Sequence, residues 1–425
     1  MTDARGASAW GNRPGALIQS LHIENLKSLS GSHEVELAPL TLIYGPNAAG
    51  KSSVLQSTRL AKDWLKRINR PFIESDENSP SEERGERRET WEDIIDEHLR
   101  LVSGHDPSLP LNVGMAYSSS DLGEHLGQLI MEVRSDDHDP RGFRVMTTTS
   151  DSTGTKSTTF ASAPLQESWG SGFRFHPQPD SSGPMESADR LLEATVYLGP
   201  HRGDPRKRYE YRESQYVLWH EGPGSLEAEP INRWLSHLGV PYTVRAVTIE
   251  EADPEYGEYL DTLDRTADWV DEGVPQSGDL DHFELSDTRS GVQVLLKDVG
   301  YGVGQLLPIV DFCTREADRV ICIEQPELHL HPRLQGNLGE LFVDSVMRGN
   351  QIIAETHSEN ILLRVRRLIR EERIAAHDVS VIYVDNSKAG VMIRRLRLGP
   401  SGELLDPWPS GFFDDSLADV LGGWE

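Results

Sequence analysis

The sequence is poor in cysteine and in long hydrophobic runs, and both shortages exclude classes of protein. Its two cysteines, Cys313 and Cys322, lie inside apolar segments and provide neither a disulfide scaffold nor a zinc site of the paired CxxC kind. We expect both to be buried, reduced thiols. The longest apolar runs, such as Leu40–Tyr44 and Val320–Ile323, are far shorter than the ~20 residues of a membrane helix. Because residues 1–20 also lack a basic start followed by an apolar stretch, we expect a cytoplasmic protein with no membrane partner.

Positive charge is also scarce. The formal net charge of −27 at pH 7 opposes nonspecific binding to nucleic acid or to an anionic membrane, although a small basic groove remains compatible with it. The most basic stretch, His201–Arg212, interleaves its cations with Tyr209 and Tyr211. Two interpretations stay open for this stretch: contact with DNA or nucleotide, and a solvated loop that balances neighbouring acids.

Short apolar runs alternate with helical patterns near both ends of the chain. Leu40–Tyr44 is typical of a strand buried on both faces, and Lys51–Ile68 places most of its apolar residues on one stripe of a helix. Towards the other end, the predicted elements are strands at Val320–Ile323, Gln351–Ala354, Val379–Val384 and Gly390–Leu398, and helices at Gln305–Cys313, Pro332–Met347 and Asn360–Arg370. This alternation indicates an α/β fold with a mainly parallel sheet and flanking helices.

The middle of the chain is less regular. Its acidic stretch Glu74–Leu99 begins with the composition of a solvated loop, Ser168–Pro184 is typical of a link, and Glu250–Glu284 is predicted to be irregular. The predicted elements of this middle region are strands at Leu111–Tyr117, Gln128–Val133, Phe143–Thr148 and Thr195–Leu198 and a helix at Leu226–Leu238. Strands at Ile18–Ile23 and His33–Leu37 precede the phosphate-loop strand, and a buried segment is predicted at Val292–Leu296. We divide the chain into an N-terminal lobe (1–68), an insertion (69–190), a linker with a helical insertion (191–290) and a C-terminal lobe (291–425).

The strongest motif is GPNAAGKSS, Gly45 to Ser53, which matches the phosphate-loop pattern GxxxxGK[ST] between a buried strand and an amphipathic helix. In such a loop, backbone N–H groups surround the β-phosphate and the helix N-terminus favours anions. Lys51 is predicted to reach the β- and γ-phosphates, and the Ser52 hydroxyl to bind Mg²⁺. The predicted nucleotide-binding residues are Asn47, Ala48, Ala49, Gly50, Lys51, Ser52 and Ser53.

Together with the phosphate loop, the segments LHIENLK, ICIEQPELHLHP and IIAETHSE resemble the head domains of ABC-class P-loop ATPases of the OLD, RecF and SMC kind. The resemblance covers roughly Gln19–Ile68 and Val292–Val384. It implies an ABC-type head with an N-terminal antiparallel portion and inserted α/β segments, and the cofactors ATP and Mg²⁺. The closing pattern DPWPSGFFDD resembles the tail of OLD-like ATPases found beside antiphage nucleases, the Septu type among them.

The resemblance implies that Glu324 is the Mg²⁺-associated acid at the end of the Walker B strand, and it places Gln325 where the general base is expected. A neutral amide orients water but accepts a proton very poorly. Glu327 follows two residues later, so the turn would bring its carboxylate towards the same water. We hypothesise that Glu327 is the base or water-orienting group and that Gln325 positions the water. A solvated turn residue is the alternative for Glu327.

Two further histidine assignments follow from the resemblance. His357 matches the switch histidine that contacts the γ-phosphate. The segment LHLHP matches the D-loop, which in ABC-class dimers faces the phosphate loop of the other subunit. His329 and His331 could also be read as a zinc-binding pair, but no third or fourth ligand is indicated.

The segment DVGYGVGQLLP, Asp298 to Pro308, resembles the signature loop that ABC-class heads present to the nucleotide of the other subunit. The implied contacts in trans are Gly302, Gly304 and Gln305, with a helix that starts near Gln305. Relatives often carry serine where this chain has Gly304, so backbone amides would have to make the contact. A glycine turn that simply precedes a helix is the alternative.

We therefore expect an ATP-binding, slowly hydrolysing ABC-class ATPase that forms a homodimer or a higher oligomer around nucleotide. The chain after His357 is too short for the Toprim domain of OLD nucleases, so the expected effector is a separate nuclease in antiphage defence. Two alternatives remain: a non-catalytic nucleotide-sensing scaffold, and a DNA-repair or DNA-end clamp with DNA as its partner.

Overall fold

The computed structural model of the chain describes residues 17–69, 101–102, 109–118, 126–134, 142–150, 156–164, 182–200, 220–221, 228–248, 280–294, 299–314, 318–387 and 390–409. The acidic stretch Glu74–Leu99 and the basic stretch His201–Arg212 lie outside these residues.

The described residues form sixteen strands and six α-helices. The strands are β1 (Leu17–Leu26), β2 (Leu29–Glu36), β3 (Leu40–Tyr44), β4 (Leu111–Ser118), β5 (Leu126–Arg134), β6 (Gly142–Ser150), β7 (Lys156–Pro164), β8 (Thr195–Leu198), β9 (His220–Glu221), β10 (Tyr242–Thr248), β11 (Leu280–Asp287), β12 (Gln293–Val294), β13 (Val320–Glu324), β14 (Gln351–Glu355), β15 (Val379–Ser387) and β16 (Gly390–Leu396). The helices are α1 (Lys51–Asn69), α2 (Ser182–Glu193), α3 (Ala228–Leu238), α4 (Tyr301–Thr314), α5 (Pro332–Met347) and α6 (Glu359–Arg370).

The central sheet has six strands in the order β16-β15-β3-β14-β13-β8. All neighbouring pairs are parallel except β15 with the edge strand β16. Every residue of β3, β13 and β14 is buried, as expected for parallel strands that helices cover on both faces. The α/β fold with a mainly parallel sheet and flanking helices is thereby confirmed.

Alternate residues of the central strands belong to two hydrophobic cores. On one face, Leu42 and Ile323 pack with buried residues of helices α3 to α6. On the opposite face, Ile43 and Cys322 pack with α1, α2 and the antiparallel sheet. Because burying one such aliphatic side chain contributes about 1.5–3 kcal/mol, these two cores hold the sheet edge that carries the phosphate loop in place.

The second sheet is antiparallel and has the order β2-β1-β4-β5-β6-β7. The predicted strands of the middle region therefore continue the N-terminal sheet: β4 pairs with β1 along most of its length, from Leu17 with Ser118 to Glu24 with Asn112. The predictions at Leu111–Tyr117, Gln128–Val133 and Phe143–Thr148 are confirmed, and β7 was not predicted.

The third sheet is small, with the order β10-β11-β12 and with β9 paired to β11. Two predictions were wrong here. Residues 280–284, expected to be irregular, belong to β11, because pairing with β10 satisfies the backbone of this acidic segment. Val292 was expected to be buried but is 57% exposed, since it precedes the two-residue edge strand β12, whose Val294 packs against the core; residues 295 and 296 of the predicted segment lie outside the described residues.

The helices differ from expectation at two places. Helix α2 occupies Ser182–Glu193, where no helix was predicted, and α4 begins at Tyr301, four residues before the expected start at Gln305. No helix in the described ranges is both long enough and apolar enough to cross a membrane.

Both cysteines are free and buried, as predicted. Burial raises the pKa of the Cys313 thiol to about 12 and that of Cys322 to about 11, so both thiols are protonated at neutral pH.

The aromatic tail is described up to residue 409, and its Trp408 packs on the central sheet. The Trp408 ring meets Tyr44 edge-on at 5.5 Å and Tyr383 at 6.3 Å between ring centroids. The described part of the tail therefore contacts the strand that leads directly into the phosphate loop.

Candidate nucleotide-binding site

Three neighbouring parallel strands end at the same edge of the central sheet. Strand β3 leads into the phosphate loop, while β14 and β13 end at Glu355 and Glu324, which are register partners. Open α/β sheets bind ligands at the carboxyl ends of their strands. The topology therefore brings the loop and two acids together at the edge where a ligand site is expected.

The phosphate loop is shaped by two glycines that no other residue could replace without strain. Gly45 has φ 149°, and a Cβ there would lie 2.0 Å from the carbonyl oxygen of Val384. Gly50 has φ 104°, and a Cβ there would lie 2.6 Å from a methyl group of Leu29. Helix α1 begins at Lys51, so its N-terminus faces the loop, as the motif predicts.

Lys51 is buried within the loop, with only 3% of its surface exposed. Its ammonium group donates to the carbonyl oxygen of Pro46 at 2.8 Å and lies 3.9 Å from Oε1 of Glu355. Burial lowers the pKa of Lys51, and the nearby Glu355 and Glu327 carboxylates partly oppose this effect. A phosphate would offer this ammonium a stronger, charge-assisted hydrogen bond than the Pro46 carbonyl does.

Glu324 is buried between two neutral donors. Its Oε1 accepts a hydrogen bond from the Tyr197 hydroxyl and one from Nε2 of Gln56 at 3.3 Å, while Lys27 donates to Gln56 Oε1. Burial, followed by the Glu324 charge, raises the pKa of Tyr197, which keeps its hydroxyl protonated as a donor. Sequence reasoning missed Tyr197 and Gln56, because only the neighbouring positions of β8, α1 and β13 bring them to Glu324.

Gln325 adopts an unusual backbone conformation directly after β13. Its φ of 44° lies in the left-handed region, which costs a non-glycine residue about 1–3 kcal/mol. Two backbone hydrogen bonds hold it there: its N–H donates to the Glu355 carbonyl at 2.8 Å, and its carbonyl accepts from Leu328 at 3.2 Å. The turn that carries Gln325 is therefore fixed from both sides.

Glu327 is held against the segment that follows β14. Its Oε2 accepts from the Thr356 hydroxyl at 2.7 Å, and its Oε1 accepts from the His357 backbone N–H at 2.7 Å. Both carboxylate oxygens of this half-buried turn residue are therefore engaged, which favours a positioned carboxylate over the alternative of a solvated turn residue. Each carboxylate oxygen has two lone pairs, so both retain capacity to accept a hydrogen bond from water.

His357 follows Glu355 by two residues and is half-buried at the same sheet edge. Burial, with a smaller contribution from the Lys51 charge, lowers the pKa of its imidazole below 6.5. The ring is therefore neutral at pH 7, with one nitrogen that can donate a hydrogen bond and one that can accept.

Glu355 is a further residue of this site that sequence reasoning overlooked. It is 3% exposed, and its Oε2 has no hydrogen-bond partner among the described residues. Its pKa is raised, first by burial and then by the Glu324 and Glu327 charges, while a hydrogen bond from Ser52 and the Lys51 charge act in the opposite direction. An acid at the end of a buried strand beside the phosphate-loop strand was the available signal.

The two histidines of the LHLHP segment have separate contacts. His331 caps the N-terminus of α5, where its Nδ1 accepts from the Arg333 backbone N–H at 3.2 Å. The exposed His329 ring meets Tyr301 edge-on at 4.8 Å between centroids. Within the described residues, no group of three His, Cys, Asp or Glu side chains could hold a metal ion, so the zinc interpretation gains no support.

The signature-like segment differs from its expected form as a loop. Gly302, Gly304 and Gln305 lie in the first turns of α4, and Gln305 is only 1% exposed. A Cβ at Gly302 would lie 2.7 Å from the His329 carbonyl oxygen, so this helix start packs closely on the LHLHP segment of the same chain. Tyr301 is a large exposed side chain at this helix start, with 42% of its surface accessible. Asp298 lies outside the described residues.

Three solved structures resemble the chain weakly. A SMC head bound to the C-winged helix domain of ScpA has 14% identity and a TM-score of 0.46, covering 90% of this chain and 98% of that one. The SMC head domain from Thermotoga maritima has 12% identity and a TM-score of 0.39, covering 90% and 99%. A Smc head domain with an extended coiled coil, bound to the C-terminal domain of ScpA derived from Pyrococcus furiosus, has 12% identity and a TM-score of 0.47, covering 90% and 96%. These values are too low to carry an argument about activity or partners.

A family model gives the stronger finding. No curated protein sequence matches the chain, but the model described as "AAA domain, putative AbiEii toxin, Type IV TA system" matches residues 40–364. The match includes the phosphate loop, both sheet-edge acids and His357, and it spans most of the chain. The chain therefore belongs to this family and is an ABC-class P-loop ATPase.

Proposed function

We propose that this chain binds ATP with Mg²⁺ and hydrolyses it slowly, and that two copies close around nucleotide to regulate a separate effector. One observation carries the enzymatic part: Lys51, Glu324, Glu327 and His357 surround the phosphate loop at one sheet edge. Burial lowers the pKa of Lys51 and the Glu327 charge opposes this effect, while the Lys51 charge adds to the burial that lowers the pKa of His357, as in a site built for a charged ligand.

The residues present fit a magnesium ion. Magnesium prefers oxygen ligands and keeps several waters, and the Ser52 hydroxyl and the buried Glu324 carboxylate provide oxygen donors at this edge. When bound, the ion would neutralise charge that develops on the phosphate oxygens. Tyr197 and Gln56 hold the Glu324 carboxylate in one orientation for that role.

Roles for the remaining side chains follow from their contacts. Lys51 would exchange the Pro46 carbonyl for a phosphate oxygen, and the backbone amides of residues 47–53 would surround the phosphates. Glu327, fixed by Thr356 and His357, would accept a hydrogen bond from the attacking water and take its proton. His357, neutral at pH 7, would donate to the γ-phosphate.

Slow turnover is the expected consequence of Gln325. Its amide stands at the general-base position and orients water without accepting the proton, and loss of general-base help typically reduces a rate by ~10²–10⁴. Glu327 would have to compensate from two residues further along the turn. The strained backbone of Gln325 supports a specific positioning role at this place.

Association of two copies is supported by the accessible surface around the LHLHP segment. Tyr301 and His329 are exposed side by side at the start of α4, and this segment resembles one that ABC-class heads present to a second head. A separate nuclease of antiphage defence is the proposed effector, on the strength of the tail resemblance. DNA contact through His201–Arg212 is a further proposal for a stretch outside the described residues.

The test compares ATP turnover of the wild type, Gln325→Glu and Glu327→Gln, with bound nucleotide identified by chromatography after denaturation. We expect measurable wild-type turnover, a loss of ~10²–10⁴ in Glu327→Gln, and unchanged ATP binding in both variants. Unchanged turnover of Glu327→Gln would contradict its assignment as the base.

A nucleotide-sensing scaffold is the second candidate, because Gln325 alone would leave the site without a base. In that case the wild type retains ATP unhydrolysed, and turnover appears only in Gln325→Glu. The same experiment therefore separates an ATPase timer from a nucleotide-locked scaffold.

A further inference from the structure

Glu355 has a feature that the proposed roles do not explain. Its carboxylate is enclosed at the nucleotide edge, and its side chain is 4% exposed. One oxygen, Oε1, faces the Lys51 ammonium at 3.9 Å, while Oε2 is buried with no hydrogen-bond partner among the described residues. Glu355 thus brings an unused acceptor to the phosphate loop.

This arrangement does not serve stability. A buried carboxylate oxygen without a partner loses hydration and gains nothing in return, which typically costs 1–3 kcal/mol or more. The Lys51 contact compensates weakly, since that ammonium already donates to Pro46 and lies at the outer limit of an ion pair. Proteins commonly accept such a cost where a side chain meets a ligand.

The position of Glu355 also matches that of the expected metal-binding acid. Glu355 and Glu324 are the last residues of adjacent parallel strands and are register partners, so their side chains leave the same face of the sheet at the same edge. The Glu324 charge raises the electrostatic cost of ionising Glu355, while Ser52 and Lys51 act in the opposite direction. A divalent cation would relieve this repulsion and provide the missing partner.

We propose that Glu355 is a second carboxylate of the magnesium site and faces the ion, directly or through a metal-bound water, from β14 as Glu324 does from β13. This inference rests on the proposed ATP and Mg²⁺ binding. It assigns a metal-binding role to a residue that the phosphate-loop and Walker B patterns do not include.

The proposal predicts that Glu355→Gln has different effects on nucleotide affinity with and without Mg²⁺. With Mg²⁺, the variant lacks one anionic oxygen at the ion, so nucleotide affinity falls. Without Mg²⁺, the phosphates approach Lys51 with one fewer carboxylate nearby, so nucleotide affinity is unchanged or increases. The ratio of the two dissociation constants isolates the metal-linked part of binding, because linkage is reciprocal.

The experiment measures binding of a fluorescent AMP-PNP analogue to the full chain in excess EDTA and in excess MgCl₂. We expect Glu355→Gln to reduce the wild-type ratio of metal-free to metal-bound dissociation constants about tenfold, the lower end of effects seen when groups around a metal are removed. Glu371→Gln, which neutralises an exposed acid of an i,i+4 ion pair, is the control and should retain the full ratio.

The possible results separate this inference from the proposed function. A wild-type ratio retained by Glu355→Gln would overturn the metal assignment alone. An equal loss of affinity with and without Mg²⁺ would also overturn it and make Glu355 a positioning residue for Lys51. A wild type that binds no nucleotide in either condition would overturn the proposed function itself.

A second variant keeps the proposal testable if Glu355→Gln does not fold. Thermal unfolding of Glu355→Gln is followed first, and if the variant does not fold, Glu355→Asp takes its place. The aspartate keeps the charge but withdraws it by one methylene, so the ratio is expected to fall by a smaller factor. A Glu355→Asp ratio equal to that of the wild type would contradict the proposal.

Discussion

The nucleotide edge, at Lys51, Glu324 and Glu355, and the surface at Tyr301 differ sharply in burial. At the nucleotide edge, Lys51, Glu324 and Glu355 are between 3% and 7% exposed: Lys51 lies 3.9 Å from Glu355, and Glu324 accepts hydrogen bonds from Tyr197 and Gln56. At the start of α4, Tyr301 is 42% exposed and leans on His329 at the surface.

This contrast suits the buried edge to nucleotide binding and the exposed region to contact with a second molecule. The buried edge is organised by one chain alone, because residues of four strands and one helix meet there without help from a second copy. The exposed region offers aromatic surface whose further burial requires another molecule. Binding of nucleotide and association of two copies should therefore respond to different substitutions.

The largest expected effect is the loss of nucleotide affinity when Lys51, at the buried edge, is replaced. Lys51→Ala removes the ammonium that faces the phosphates and leaves Glu355 and Glu327 without their shared cation. We expect nucleotide affinity to fall by about 2–5 kcal/mol, the usual cost of truncating one partner of a buried charge pair. Titration with fluorescent nucleotide measures it, and Arg233→Ala, at an exposed ion pair, serves as the control. Unchanged affinity of Lys51→Ala would refute the proposed site.

A smaller effect is expected for Tyr197→Phe, which tests whether Tyr197 positions Glu324 for Mg²⁺. The variant removes the hydroxyl that donates to this carboxylate, and hydrogen bonds to charged groups contribute about 1.5–3 kcal/mol. We expect the Mg²⁺ concentration for half-maximal turnover to rise about tenfold, with unchanged metal-free nucleotide affinity. Tyr242→Phe, in the small third sheet, is the control. An unaltered Mg²⁺ requirement would mean that Tyr197 does not position Glu324.

The two regions would not be independent if a substitution at the start of α4 reduced nucleotide affinity at the buried edge. In Gly302→Ala, the new Cβ would lie 2.7 Å from the His329 carbonyl, and overpacking of this kind costs about 1–3 kcal/mol. We expect weaker ATP-dependent self-association in analytical ultracentrifugation and unchanged nucleotide affinity.

Gly300→Ala is the matched control for that variant, because a Cβ at Gly300 meets no atom within 4 Å. Equal self-association of the two alanine variants would argue against a role of the α4 start in dimer formation. A parallel loss of nucleotide affinity in Gly302→Ala would show that the two regions are not independent.

The smallest effect concerns the tail. Trp408→Leu keeps an apolar side chain but removes the edge-on contacts with Tyr44 and Tyr383, and such pairs contribute about 0.5–1.5 kcal/mol each beyond their buried area. We expect the free energy of unfolding in urea to fall by roughly this amount per pair, with little change in nucleotide affinity. Leu405→Ala, at a residue that is 52% exposed, is the control and should be near neutral.

Much of the fold could be predicted because its signals are local. The buried strands Leu40–Tyr44 and Val320–Ile323 were predicted from their almost continuously apolar runs, and helix α1 follows from the spacing of its apolar residues. Helix α2 and strand β11 were missed, because their polar composition favours loops and only packing or strand pairing stabilises them.

The phosphate loop was determined by the sequence itself, since its glycines, Lys51 and Ser52 are contiguous and their spacing specifies the turn and the helix start. The surroundings of Glu324 were decided only by the tertiary structure: Gln56 is 268 residues away in the chain and Tyr197 is 127 residues away. The same holds for Glu355, which meets Lys51 because β14 pairs with β3. Local patterns specify turns and helix ends, whereas strand order determines which distant side chains share a sheet edge, and no spacing in the sequence records that order.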